Sequence, residues 1–195
     1  ELSPEQFYVK HILKSQNWYF VNYLKVPPVE LVDRIDCFKE IVSSKLKISF
    51  HNLQMVGSAK IGYSLSPYKP FNPFHEESVD EKSSDIDIAI VSDKLYFEFW
   101  DKLRHSNIVY REEKYYRKLT SAIFKGFINE KQLLRITNIN REWREFVNPV
   151  NVALQDRLGF VHPITYRVYR SWDDLEDYQI FGISQIKRKV ENGDV

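Results

Sequence analysis

The stretch of residues 85–91 constrains the fold of this chain more than any other part of its sequence. Isoleucine occupies every second position there, and the positions between hold Asp85, Asp87 and Ala89. Because side chains point alternately to the two faces of a β-strand, this period of two predicts a strand with one apolar face. Both carboxylates then lie on the opposite face, roughly 6.6 Å apart along the chain. The sequence therefore predicts a strand that presents two acidic side chains on one side.

Two further strands are predicted around it. Residues 53–56 form a short apolar segment that ends at Gly57-Ser58, and residues 164–169 are rich in Tyr, Val and Thr. Residues 66–83 hold three prolines and end in an acidic stretch, which predicts an extended loop. A loop of that length inside a compact domain is more often functional than decorative.

Helices are predicted before, between and after these strands. Ser3 is a suitable N-cap, and Pro4 and Glu5 suit the first turn that follows it. The clearest amphipathic pattern covers residues 29–46, directly after two prolines. The remaining predicted helices cover residues 58–65, 95–103, much of 112–134, and 183–190.

Taken together, these elements predict an α+β fold with a mixed sheet flanked by helices. Residues 1–50 are expected to form a helical N-terminal segment that packs on the core, and residues 51–195 the domain that holds the sheet. Hydrophobic residues make up 43% of the chain, which suffices for a buried core and excludes global disorder. No apolar run approaches the roughly 20 residues that a membrane span needs, so no membrane association is expected.

Charge and cysteine content exclude other classes of protein. The net charge is +1, which argues against a general polyanion binder. Cys37 is the only cysteine, so an internal disulfide and a Cys-rich zinc module are both excluded. A lone thiol is typical of a reducing compartment, and a cytoplasmic location is expected.

Asp85 and Asp87 predict a site for a divalent cation. Two carboxylates on the same side of a strand can chelate such a cation between them, and Mg²⁺ favours carboxylate oxygens together with phosphate oxygens. In two-metal sites the cations stabilise the attacking and leaving oxygens of a phosphoryl displacement. The alternative is an exposed edge strand whose acidic residues simply face water.

Gly57 and Ser58 form the second candidate feature, upstream of the acidic pair. Glycine lets the backbone approach a phosphate closely, and a helix start presents free N–H groups to an anion. The Ser58 hydroxyl can add a hydrogen bond, and Lys60 can add a positive charge. The alternative is a plain turn between a strand and a helix, because Gly-Ser is a common turn dipeptide.

Together the two features resemble the polymerase β-type nucleotidyltransferase superfamily. The chain reads Met55-Val56-Gly57-Ser58, then a helix and a loop, then Ser84-Asp85-Ile86-Asp87-Ile88. The family pattern is an apolar residue, Gly-Ser, a variable gap, and then Ser-Asp-apolar-Asp-apolar. The match covers about residues 53–93, near a fifth of the chain.

The resemblance implies a nucleotidyltransferase-like mixed β-sheet with a helical N-terminal extension. It implies that Gly57 and Ser58 contact the phosphates of a nucleoside triphosphate, and that Asp85 and Asp87 are catalytic and bind Mg²⁺ or Mn²⁺. The expected reaction transfers a nucleoside monophosphate to a hydroxyl group of a protein, a nucleic acid or a nucleotide. Related small enzymes act in toxin–antitoxin and phage-defence systems, and the resemblance implies such a setting.

The chain departs from the family pattern at the third carboxylate, which usually lies on a neighbouring strand and often acts as general base. The predicted strand at 164–169 holds no acid, and Arg167 stands near the expected position. Possible substitutes are Glu112, Asp156 and Asp173. The alternative function is therefore a catalytically inactive module on the same fold that binds a partner protein or a nucleic acid.

Two basic and aromatic clusters are further candidates for a nucleic-acid surface. Residues 110–118 and residues 166–172 each combine tyrosines with arginines, and aromatic faces stack bases while arginines hold phosphates. The alternatives are a solvated helix face for the first cluster and a half-buried strand for the second. The acidic residues 76–81 are either a solvated loop or a lid near the site.

Overall fold

The fold is described by a computed structural model that covers residues 2–74, 84–107 and 109–194, without the side chain of Arg111. The strands are β1 Leu53–Val56, β2 Ile86–Val91, β3 Phe127–Asn129 and β4 Ile164–Tyr169. The α-helices are α1 Pro4–Phe7, α2 Leu31–Leu46, α3 Ser58–Ile61, α4 Asp93–His105, α5 Glu113–Phe124, α6 Glu130–Leu133, α7 Thr137–Leu158 and α8 Trp172–Glu191. The predicted α+β class is confirmed. Within the described part, no helix is both long and apolar enough to span a bilayer.

The four strands form one mixed sheet in the order β1-β2-β4-β3. β1 runs antiparallel to β2, β2 runs parallel to β4, and β3 runs antiparallel to β4. The two central strands, β2 and β4, correspond to the strands predicted at residues 85–91 and 164–169. β3 is only three residues long and lies at one edge.

The two faces of the sheet bury different sets of side chains. On one face, the isoleucines of β2 pack with α2, α4 and α7, for example against Phe38, Phe99 and Trp143. On the other face, Ala89 and Tyr169 pack with α8 and with the N-terminal segment. The alternation predicted for residues 85–91 is confirmed, and it puts Asp87 on the second face.

The first part of the N-terminal segment, up to Leu13, is attached to this second face. It begins with the predicted cap: the backbone N–H of Gln6 donates to Ser3 Oγ over 3.2 Å, and the Ser3 N–H donates back to Gln6 Oε1 over 2.9 Å. α1 continues into a π-helical segment, Tyr8–Leu13, whose Tyr8 and Ile12 are buried. The Gln54 side-chain amide of β1 donates to the Ile12 carbonyl. The expected division of the chain at residue 50 stays a prediction.

The helix after Gly57 is shorter than predicted. It ends at Ile61 rather than near residue 65, because Gly62 adopts a φ of +91° and turns the chain away. The backbone then folds back on itself, with the Phe74 N–H donating to the Gly62 carbonyl over 2.8 Å. The predicted loop at 66–83 is described only as far as Phe74, and the acidic residues 76–81 lie outside the described residues.

The middle of the chain also differs from the prediction. Much of residues 112–134 is helical, as expected, in α5 and α6, but β3 separates the two helices, with Gly126 at a φ of +80° just before the strand. α7, the longest helix, was not predicted. Its sequence holds an internal proline, Pro149, which argues for a break rather than for a continuous helix.

Candidate functional site

Asp85 and Asp87 lie side by side on the face of the sheet that α8 covers. Asp85 directly precedes β2, and Asp87 is its second residue. The side chain of Asp85 forms an ion pair with Lys131 Nζ of α6. Because α6 follows the edge strand β3, this lysine comes from a part of the chain that sequence spacing does not connect with Asp85. Lys131 is one of the site residues that sequence reasoning missed.

Asp87 is held by the two strands on either side of it. Thr165 is its Cα partner on β4 and donates its hydroxyl hydrogen to Asp87 Oδ1 over 2.8 Å. On β1, Val56 is the Cα partner of Asp87, and Gly57 follows directly. Gly57 has a φ of +70°, and a Cβ atom built on it would lie 2.6 Å from Asp87 Oδ2. The structure therefore brings the Gly57 backbone against the Asp87 carboxylate.

The charge state of Asp87 reflects this crowded position. Burial raises the pKa of the Asp87 carboxyl above its ordinary value, and the neighbouring charge of Asp85 raises it further. The Arg167 guanidinium, the Thr165 hydrogen bond and the Lys131 ammonium act in the opposite direction on the Asp87 pKa without reversing it. A pair of carboxylates whose mutual repulsion is only partly offset is an arrangement that a cation would stabilise.

The pKa of Lys131 depends on the same two aspartates. Burial by itself lowers the pKa of its ammonium, but the hydrogen bond and charge of Asp85, aided by Asp87, outweigh burial and raise it. Lys131 is therefore a cation at neutral pH, and it compensates part of the negative charge of the two aspartates.

Arg167 occupies the β4 position two residues beyond Thr165, on the same face as Asp87. Its guanidinium carbon lies 4.4 Å from the ring centroid of Tyr178, and its Nη1 donates to the Tyr169 hydroxyl over 3.3 Å. Its Nε is buried and has no hydrogen-bond partner among the described residues. The neighbouring strand thus offers a hydroxyl and a buried cation where the family pattern has a carboxylate.

None of the three possible substitutes supplies that carboxylate on β4. Glu112 accepts hydrogen bonds from the N–H and the hydroxyl of Thr137, at the start of α7. Asp156 is exposed on α7, and Asp173 lies in the first turn of α8. Among the residues that the structure describes, no cluster of three or more His, Cys, Asp or Glu side chains is arranged to hold a metal ion.

The other predicted site residues lie in α3. Ser58 is its first residue and is partly buried. Lys60 is only 5% exposed, and its ammonium donates to the Lys14 carbonyl of the N-terminal segment. It lines a separate cavity whose walls include neither of the two aspartates. The structure thus brings together Asp85, Asp87 and Gly57 and directs Lys60 elsewhere.

Glu130, next to Lys131, is a buried acid that the sequence did not single out. Its two carboxylate oxygens accept hydrogen bonds from Trp143 Nε1 over 2.6 Å and from the Tyr166 backbone N–H over 2.7 Å. Burial raises the pKa of its carboxyl. The Tyr166 bond lies just beyond the end of the β3–β4 pairing, so Glu130 satisfies a backbone donor that β3 no longer reaches. Its contacts are those of a structural residue that fixes α6, and with it Lys131.

The two basic and aromatic clusters differ in the structure. In the second cluster, Tyr166 and Tyr169 are buried in the sheet, which matches a half-buried strand and leaves their rings unable to stack on bases. In the first, Tyr110 is exposed, and Arg117 pairs with Glu113 over 2.6 Å on the surface of α5. That arrangement matches a solvated helix face.

The donor set at the site fits a magnesium ion that arrives with a phosphate ligand. Proteins commonly hold Mg²⁺ through one or two carboxylates, and substrate phosphates and water complete the octahedron. Asp85 and Asp87 provide two carboxylates that already repel each other. The absence of a third acid among the described residues is compatible with that mode of binding but not with a dedicated protein cage.

Comparison with known proteins leaves the family of this chain open. No protein-family model matches it, and no curated protein or solved structure matches it either. The resemblance to the polymerase β-type nucleotidyltransferases therefore rests on residues 53–93 alone.

Proposed function

We propose that this protein is a Mg²⁺-dependent nucleotidyltransferase that acts in the cytoplasm, in a toxin–antitoxin or phage-defence setting. Its substrate is a nucleoside triphosphate, and the acceptor is a hydroxyl group of a protein, a nucleic acid or a nucleotide. The observation that carries the proposal is the contact between Gly57 and Asp87. It joins a turn suited to phosphate with a carboxylate suited to metal, at a point where no larger residue than glycine fits.

Each residue of the site has a role that follows from its contacts. Asp85 and Asp87 would hold the cation, which, when bound, neutralises the charge that develops on the transferred phosphorus. Thr165 fixes the orientation of Asp87 by bonding to Oδ1, so that Oδ2 stays towards Gly57. Gly57 and Ser58 would carry the phosphate oxygens.

Lys131 and Arg167 supply the positive charge of the site. Lys131 already neutralises Asp85, and its ammonium is placed to meet a phosphate oxygen that approaches the same carboxylate. Arg167 lowers the pKa of Asp87 and so favours its ionised, metal-binding form. Both cations favour the polyanionic substrate over a neutral one.

A second function, binding without catalysis, is favoured by one specific observation. β4 presents Thr165 and Arg167 to Asp87, and neither residue can act as a carboxylate general base. On this alternative the same residues bind a nucleotide but do not activate an acceptor hydroxyl. The module would then serve a partner protein or a nucleic acid.

The decisive experiment measures nucleotide transfer and nucleotide binding side by side. The protein is incubated with Mg²⁺ and each of four α-labelled triphosphates, and both pyrophosphate release and label transfer are recorded. Asp85→Ala and Asp87→Ala are expected to lower turnover at least about 100-fold, as for loss of a metal ligand. Asp101→Asn, an exposed aspartate paired with Arg104 on α4, is the matched control and should leave turnover unchanged.

The outcomes separate the two functions. Calorimetric binding of the Mg²⁺–triphosphate complex without turnover towards protein, RNA or nucleotide acceptors supports the binding module. Equal pyrophosphate release by the wild type and by both alanine variants contradicts the nucleotidyltransferase assignment. No binding of any triphosphate contradicts both functions.

A further inference from the structure

A concave site whose described lining includes neither Asp85 nor Asp87 lies at the end of α3. It is a cavity of about 340 Å³ between the N-terminal segment and the end of α3. Its volume falls in the range of small-molecule sites. The part of the N-terminal segment that lines it runs from Lys10 to Asn22, and the part around α3 runs from Lys60 to Tyr63. Neither Asp85, Asp87 nor Gly57 contributes to its described lining.

The lining of the cavity is basic and carries no counter-charge among the described residues. Lys10, His11 and Lys60 line it, and its described lining residues include no aspartate or glutamate. Lys60 is 5% exposed, and among the described residues its ammonium donates to the Lys14 carbonyl. An ammonium has three N–H donors, so this bond leaves two of them for a ligand. A buried cation without an anionic partner is costly, and a bound anion would offset that cost.

The pKa values of Lys60 and His11 agree with a cavity lining that is basic. Burial lowers the pKa of Lys60 to about 8, and the charge of Lys39 on α2 contributes in the same direction. Burial, Lys10 and Lys14 lower the pKa of His11. In both cases the neighbouring charges that act on the group are positive.

Aromatic and amide side chains complete the lining. The Trp18 indole lies against Gly62, where an added Cβ atom would be 2.6 Å from the ring. It also packs against Phe74, with ring centroids 5.4 Å apart. Tyr63 lies in the same lining. The side-chain amide nitrogen of Asn22 donates to the Trp18 carbonyl over 3.3 Å, which leaves the amide oxygen to accept a hydrogen bond. Flat rings stack bases, and amides bond to base edges.

We propose that this cavity binds a phosphorylated nucleoside, with its phosphate at Lys10, His11 and Lys60 and its base between Trp18 and Tyr63. The site is distinct from the carboxylates of the proposed nucleotidyltransferase reaction and does not depend on them. A free mononucleotide and the 5′-phosphorylated end of an oligonucleotide present the same chemistry. The experiment therefore includes both ligands.

The test measures binding in the presence of EDTA, so that no divalent cation recruits a nucleotide to Asp85 and Asp87. Each of the four nucleoside 5′-monophosphates is titrated by calorimetry, and the matching nucleosides and inorganic phosphate are titrated in parallel. At least one monophosphate should bind about tenfold more tightly than its nucleoside or phosphate alone. A 5′-phosphorylated tetranucleotide distinguishes a strand end from a free nucleotide, and tighter binding of either ligand supports the site.

Two variants locate the binding. Lys60→Met keeps the length of the side chain and removes the buried charge, and it should weaken binding at least about tenfold. Lys10→Gln, at an exposed position, should weaken it in the same direction and remains informative if Lys60→Met fails to fold. Lys118→Met is the matched control, because Lys118 is exposed on α5 and does not line the cavity.

Three results overturn the proposal. The first is equal binding of nucleosides and their monophosphates. The second is wild-type affinity in both Lys60→Met and Lys10→Gln. The third is loss of monophosphate binding in EDTA on the change Asp87→Ala, which would assign the binding to the carboxylates. None of these results affects the Mg²⁺-dependent transfer experiment, so the two proposals can fail separately.

Discussion

Thr165 and Asp87 occupy paired positions on two parallel strands, and the Thr165 hydroxyl donates to Asp87 Oδ1 over 2.8 Å. This bond lowers the pKa of the Asp87 carboxyl, against burial and against Asp85, which raise it. The Thr165 hydroxyl of β4, a neutral donor, therefore favours the ionised form of Asp87.

Replacement of Thr165 by valine should shift the pH dependence of metal–nucleotide binding. Thr165→Val removes the donor while keeping the shape of the side chain, so the pKa of Asp87 rises further and ionised Asp87 forms only at higher pH. On the acidic side of the Asp87 titration, the affinity for the Mg²⁺–triphosphate complex should fall about tenfold, and it should recover with rising pH. Calorimetry across the pH range checks this shift. Thr165→Ser keeps the hydroxyl and should behave as the wild type, whereas a loss that is independent of pH would contradict a role through Asp87.

Replacement of Gly57 by alanine should destabilise the fold and disturb Asp87. The backbone at Gly57 has a φ of +70°, and the added methyl group would lie 2.6 Å from Asp87 Oδ2. We expect a loss of about 3 kcal/mol in the free energy of unfolding, from strained backbone and steric conflict together. Urea denaturation measures this loss.

The matched control for that change is Gly182→Ala. Gly182 lies inside α8, and a Cβ atom there would meet nothing within 4 Å. Alanine should therefore stabilise the protein by about 1 kcal/mol through its higher helix propensity. Similar effects of the two substitutions would show that the contact between Gly57 and Asp87 does not constrain the site.

Asp87→Asn should stabilise the fold while abolishing metal binding. The pKa of Asp87 is raised in the folded state, so the wild type loses stability as pH rises from below the ordinary aspartate value of 3.8 through the raised folded value. The asparagine variant has no such loss, and its advantage in the free energy of unfolding should grow with pH and be full above the raised folded pKa of Asp87. Denaturation at pH 3 and pH 7 measures the difference. An asparagine variant that is less stable than the wild type at neutral pH would contradict this.

Lys60→Met should show a pH dependence at the alkaline end. The folded pKa of Lys60 is about 8, below its ordinary value of 10.5, so the neutral lysine is favoured by the fold and the charged lysine is disfavoured. The stability that the neutral form contributes is present above pH 10.5 and is lost as pH falls through 8. At pH 7 the methionine variant should therefore gain up to about 3 kcal/mol relative to the wild type, less the lost bond to the Lys14 carbonyl.

The measurement for Lys60 is the difference between the two unfolding curves at each pH. Groups other than Lys60 titrate in both proteins and cancel in that difference. The advantage of the methionine variant should shrink steadily between pH 8 and pH 10.5. An advantage that stays constant over this range would show that Lys60 is not desolvated.

The central strands could be predicted from the sequence because their patterns are local. The alternation at 85–91 fixes which face of β2 carries the isoleucines, and the short run before Gly57 ends where the edge strand β1 ends. The resemblance implies that Gly57 and Asp87 belong to one site, and the β1–β2 register, which pairs Asp87 with Val56, places Gly57 next to Asp87. The strand patterns depend on a few neighbouring residues, whereas this register is a feature of the folded sheet.

The rest of the site depends on tertiary packing that no local pattern records. Lys131 reaches Asp85 only because α6 follows β3, and β3 is a three-residue strand that exists through its pairing with β4. Glu130 is buried by Trp143 of α7, a helix that the sequence did not predict. Lys60 was expected to add a positive charge near the phosphate because it closely follows Gly57 and Ser58. In the structure α3 ends early, and the Lys60 ammonium bonds to the N-terminal segment and lines the cavity.

The ion pair between Asp85 and Lys131 has a consequence for selectivity. If a divalent cation alone displaces Lys131 from Asp85, the ammonium is left unpaired beside the metal. If a polyphosphate alone draws Lys131 away, the Asp85 carboxylate is left unpaired beside the anion. Only a ligand that carries both positive and negative charge lets Asp85 and Lys131 exchange partners at the same time. On the proposed function, we expect this site to bind free Mg²⁺ and free polyphosphate weakly and their complex more tightly.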